Sequence, residues 1–111
     1  MITTKNLTPT KTEHIVYVPG NCWISLRHLF EKENVKYESI HRAKADMTEL
    51  ERWRNRFKTE ANIDYPKPFM RGMIVNFNED DIFNLCVELY NNHDARYELN
   101  KDDFHDGDIS W

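Results

Sequence analysis

The chain reads as an α/β domain in which a mixed β-sheet is flanked by helices. Two observations predict this class. Short β-branched apolar runs alternate along the chain with segments whose apolar residues recur at helical spacing. The 111 residues, 40% hydrophobic and 13% aromatic, suffice for one buried core and argue against a disordered chain.

Residues 1–13 are polar, carry Pro9, and read as a lead-in arm. His14-Ile15-Val16-Tyr17-Val18 follows as a compact β-branched run, the pattern of a strand covered on both faces. Pro19-Gly20-Asn21 supplies the turn chemistry that ends it. Trp23, Leu26, Leu29 and Phe30 then fall on one helical face, and Asn34 stops that helix before a second strand, Val35 to Ile40. A longer helix is expected from about Asp46 to Ala61. Asp46 and Glu49 form an acidic capping box, and Met47, Leu50, Trp53, Phe57 and Ala61 form its apolar stripe. Phe69-Met70 and Met73-Ile74-Val75 read as two short strands turning at Gly72, a hairpin. Asn78 or Glu79 opens the last helix, with Ile82, Leu85, Cys86, Leu89 and Tyr90 on one face. Glu79, Asp80 and Asp81 lie at its positive end. The order is β-α-β-α-β-β-α, which predicts a parallel first pair joined by a right-handed crossover and a closing antiparallel hairpin.

Charge divides the chain unevenly. From His93 to Trp111 six acids face two bases, a net −4, so residues 1–92 balance at 13 acids and 13 bases. The domain is therefore expected to span 14–91 and to end in an acidic tail, 92–111. No apolar run approaches the roughly 20 residues of a membrane-spanning helix. The first residues also lack the apolar core of a secretory leader, so a cytoplasmic protein that does not engage a membrane is expected. Five histidines show no paired metal-ligand spacing, and no metal is expected. Arg52, Arg54, Arg56 and Lys58 place four bases in seven residues, with Arg42, Lys44, Lys67 and Arg71 nearby in sequence. They could recognise glutathione, phosphate or nucleic acid, or stay solvated beside the Trp53 and Phe57 stripe. A neutral domain with an acidic tail argues against nucleic acid.

Two cysteines are too few for a secreted disulfide framework, so each is a buried small hydrophobe or a reactive thiol. Cys86 sits on an apolar helix face and reads as a core residue. Cys22 follows a strand and a Pro-Gly-Asn turn at the start of a helix. Ligands commonly bind at that position in α/β sheets, and the helix end there favours a thiolate.

The run His14-Ile15-Val16-Tyr17-Val18-Pro19-Gly20-Asn21-Cys22-Trp23-Ile24-Ser25, with Val35-Lys36-Tyr37-Glu38-Ser39-Ile40, resembles the first half of a glutaredoxin. Tyr65-Pro66-Lys67-Pro68-Phe69-Met70 is similar to the segment carrying that family's cis-proline. The resemblance implies a thioredoxin-like fold with a mixed four-stranded sheet, and thiol–disulfide exchange with glutathione as co-substrate. It implies Cys22 as the nucleophile, Ser25 as a hydrogen-bond partner of its thiolate, and Pro66 as the wall of a groove. Tyr65 and Lys67 would present backbone and charge to glutathione or a peptide. Ser25 stands where dithiol members have a second cysteine, so the route is monothiol, acting on a protein disulfide or glutathionylated substrate. No glycine pair precedes the last helix, where Asn78-Glu79-Asp80-Asp81 stands instead. A second expectation therefore keeps the fold and drops the catalysis: a monomeric thioredoxin-fold module that holds a protein partner in the groove and on the Arg52–Lys58 helix.

Overall fold

A computed structural model of the chain describes residues 2–39, 47–64 and 70–92. Six elements follow in order: strand β1 (Pro9–Pro19), helix α1 (Gly20–Lys32), strand β2 (Glu38–Ser39), helix α2 (Met47–Ala61), strand β3 (Met70–Phe77) and helix α3 (Glu79–Asn91). The α/β class stands. The expected Asp46 cap, the Tyr65–Phe69 segment and the acidic tail beyond Asn92 lie outside the described residues.

The sheet departs from the expected topology. Its order is β1-β3-β2, and β3 pairs antiparallel with both neighbours. β1 and β2 thus run in the same direction, but on opposite sides of β3 rather than as an adjacent parallel pair. The closing hairpin is absent as well, because Met70–Phe77 is one continuous strand and Gly72 lies inside it. Among the described residues there are three strands, not four. The physical reason lies in what surrounds Gly72. Tyr17 stands directly opposite it in the ladder, and the Trp23 indole N–H donates to its carbonyl at 3.0 Å. A large ring beside a missing side chain fills a strand position that composition alone marks as a turn.

β1 begins at Pro9, earlier than the apolar run, with an irregularity in register between Pro9 and His14. Val16, Tyr17, Val18 and Pro19 are all buried, as a strand covered on both faces requires, whereas Thr10–Glu13 is largely exposed. The segment before β1 is tied down. Thr4 donates to Glu33 Oε1 through both its backbone N–H (2.9 Å) and its hydroxyl (2.7 Å), and Thr8 N–H donates to Asp81 Oδ2 at 2.9 Å. Ile2 and Leu7 pack on the core.

α1 starts directly at Gly20, so Cys22 lies in its first turn. It ends as its sequence predicts: Asn34 takes φ 56°, while Val35 N–H reaches the Phe30 carbonyl at 2.8 Å. α2 packs chiefly on β1 through Leu50, Trp53 and Phe57, and Met47 lies outside this core. Asn78 caps α3 by accepting the Asp80 N–H at 2.8 Å. Ile82, Leu85, Cys86 and Leu89 are buried as expected. Tyr90 is exposed, and Phe83 joins the core in its place. Its ring lies 4.7 Å from Phe57 and joins α2 to α3.

Candidate functional site

β1 delivers the chain into α1 with Cys22 at the junction, where the sequence places it. The side chain, however, faces inward. Cys22 is 0% exposed, and its thiol donates to the carbonyl oxygen of Cys86 at 3.6 Å. Cys86 is also 0% exposed. Burial pushes the Cys86 thiol well above its ordinary pKa, and the hydrogen bond with Cys22 raises it further. Two cysteines separated by 64 positions in the chain thus meet between α1 and α3. Ser25 is buried one turn further along α1, and the Cys22 thiol donates to the Cys86 carbonyl. Tyr65, Pro66 and Lys67, the other residues of the predicted site, lie outside the described residues.

Beside the junction sits Trp23, 1% exposed and anchored through its indole N–H to Gly72. The Arg71 guanidinium lies 3.7 Å from the centre of the Trp23 ring, and that of Arg27 lies at 5.3 Å. Arg71 is itself 2% exposed. Sequence proximity assigned it to a basic surface, but β3 turns it into the interior, where the indole face offers an electron-rich surface to its charge.

The basic helix is similarly committed within the chain. Arg52 holds Glu49 (2.9 Å, one turn back on α2) and Glu79 (2.9 Å, at the start of α3). These carboxylates, Glu49 first, raise its already high pKa further. Arg56 pairs with Asp80 at 2.9 Å and Glu60 at 3.1 Å, and stacks 4.1 Å above the Phe83 ring. Arg54 pairs with Glu51 at 3.6 Å. Two of the acids in the first turn of α3, Glu79 and Asp80, are therefore counter-ions of Arg52 and Arg56 on α2, while the third, Asp81, accepts the Thr8 N–H. This arrangement fastens α2 to α3. Arg42, Lys44 and Lys67 lie outside the described residues.

A cavity of about 210 Å³ opens between the N-terminal segment and α3, bordered by Thr3, Asn6, Leu7, Asp81, Asn84 and Glu88. Neither Cys22 nor Ser25 borders it. Among the described residues no group of three or more His, Cys, Asp or Glu side chains is placed to hold a metal ion. No described helix is long and apolar enough to cross a membrane. Apolar surface is exposed at Ile15 (37%), whose ladder partner on β3 is the half-buried Ile74, and at Met47 and Tyr90. Comparison with protein-family models, curated proteins and solved structures finds no match to this chain.

Proposed function

We propose that this chain is a protein-interaction domain on an α/β scaffold rather than a working glutathione-dependent oxidoreductase. The observation that carries this reading is the position of Cys22: fully buried, with its sulfur turned toward the Cys86 carbonyl. A nucleophile must present a thiolate to an incoming disulfide, and glutathione is a tripeptide that needs a surface to lie on. A thiol at 0% exposure offers neither. The recognition surface is then sought where apolar groups meet solvent, at the Ile15–Ile74 pair, rather than at the self-neutralised helix α2.

The test compares thiol reactivity with turnover. Native Cys22 should alkylate as slowly as Cys86 across neutral pH, and glutathione-dependent reduction of a small disulfide should not exceed that of Cys22→Ser. A partner complex should survive Cys22→Ser but be lost in a folded Ile15→Asp variant. Rapid alkylation of Cys22 below pH 7, together with glutathione-linked turnover abolished by Cys22→Ser, would instead establish the monothiol oxidoreductase reading.

A further inference from the structure

We propose that Cys22 and Cys86 are a disulfide-forming pair that covalently joins α1 to α3 when the chain meets a disulfide oxidant. The inference goes beyond the interaction role and does not depend on it. Three observations carry it. The Cys22 sulfur lies 3.6 Å from the Cys86 carbonyl oxygen, which places it beside the backbone of that residue. Both side chains are fully buried in the same core, so neither sulfur is drawn away toward solvent. Both helices are held at this point by surrounding core residues (Trp23 and Leu26 on α1, Ile82, Leu85 and Leu89 on α3), so the Cys22 sulfur stays beside residue 86.

The oxidant is glutathione disulfide. One cysteine thiolate attacks a glutathione sulfur, breaks the S–S bond and releases one glutathione thiolate, leaving a mixed disulfide on the protein. The second cysteine thiolate then attacks the protein sulfur of that mixed disulfide and expels the second glutathione. The two cysteines are oxidised together, two electrons reduce glutathione disulfide to two glutathione molecules, and these carry off the two cysteine protons. In the native chain both sulfurs are buried, so the first attack waits for local opening around α1 or α3. Burial thus slows the reaction, while the fixed closeness of the two residues favours its product once it forms.

The same geometry supplies the test. The full-length chain is reduced and unfolded in urea, which makes both thiols accessible. It is then refolded by dilution into buffers of fixed glutathione and glutathione disulfide ratio. Samples are quenched in acid, denatured, alkylated with N-ethylmaleimide and weighed intact. A parallel series is held in urea throughout. The expected result is a monomeric species that takes up no N-ethylmaleimide and yields one linked peptide containing residues 22 and 86. Its equilibrium constant in the refolded series should exceed that in urea by on the order of 100-fold. Cys86→Ala, read in the same buffers, should give only a free Cys22 or its glutathione adduct. An equilibrium constant no higher when folded than in urea would overturn the proposal, because the fold would then hold the sulfurs apart. So would mixed disulfides or intermolecular dimers as the dominant oxidised products.

Discussion

If the bases of α2 serve the fold rather than a ligand, removing Arg52 has a calculable effect. Its guanidinium grips Glu79 with two nitrogens, Nη1 to Oε1 at 3.2 Å and Nη2 to Oε2 at 2.9 Å. At 2.9 Å the bare attraction is about 1.4 kcal/mol in a water-like dielectric, and about 6 kcal/mol at an effective dielectric near 20. The side chains are 41% and 39% exposed, so solvent screening places the pair near the lower figure, and ordering two flexible side chains reduces it further. A coupling of about 0.5 to 1 kcal/mol between Arg52 and Glu79 is expected. The bond to Glu49 and the contact with Trp53 bring the total loss for Arg52→Ala to about 1 to 2 kcal/mol. The assay is a double-mutant cycle of Arg52→Ala and Glu79→Ala, followed by urea unfolding with circular dichroism. Repeating it in roughly 1 M salt, where the screening length falls to about 3 Å, should at least halve the coupling. A coupling indistinguishable from zero at low salt would refute the reasoning, and would return Arg52 to the pool of charges available to a partner.

Other perturbations read other parts of the fold. Phe57→Ala removes the ring that lies 4.7 Å from Phe83 and 6.1 Å from Trp53, and should cost about 3 to 5 kcal/mol in urea unfolding. The two bonds from Thr4 hold the Glu33 carboxyl below its ordinary pKa of 4.5. A lowered folded value means stability present above pH 4.5 and withdrawn as pH falls through the folded pKa. Thr4→Val should therefore lie below wild type at neutral pH and converge with it in acid, as read from unfolding midpoints across pH. Burial, and then the hydrogen bond to Glu31, push the Tyr37 phenol up to about 12 from 10.0. This contribution is present below pH 10 and is lost as pH rises toward 12, so Tyr37→Phe should flatten the alkaline limb of the stability curve. Ultraviolet titration of the phenolate should show an ionisation near pH 12 that disappears in Tyr37→Phe.

Local chemistry made much of the fold legible. The helices lie within a few residues of their expected bounds because their signals are local: the spacing of Leu50, Trp53 and Phe57, the Asn78 cap, and the left-handed Asn34. The strand order was not legible, because Gly72 carries the same composition signal in mid-strand as in a turn. Only its neighbours Tyr17 and Trp23, more than 45 positions away, distinguish the two. At the candidate site the limit is similar. The position of Cys22 after β1 could be read along the chain. That its thiol turns toward Cys86 depends on how α1 and α3 pack, which no spacing between the two cysteines encodes. Arg71 and the Arg52–Glu79 link teach the same lesson. A run of bases in sequence becomes a surface only if its counter-ions do not come from elsewhere in the same chain.

The central place of β3 also sets the order in which this sheet can be built. Both of its flanking strands precede it in the chain, and neither bonds to the other. As the polypeptide leaves the ribosome, β1 emerges about fifty residues before Met70 does, and no β-ladder can close in the meantime. Pairing Pro19 with Met70 and Pro9 with Phe77 then means closing long loops, a step that slows folding relative to a sheet made of hairpins. Until β3 arrives, the apolar run around Val16 has no strand to rest on. During synthesis this interval is when the chain is most exposed to aggregation, and when a nascent-chain chaperone has most to shield.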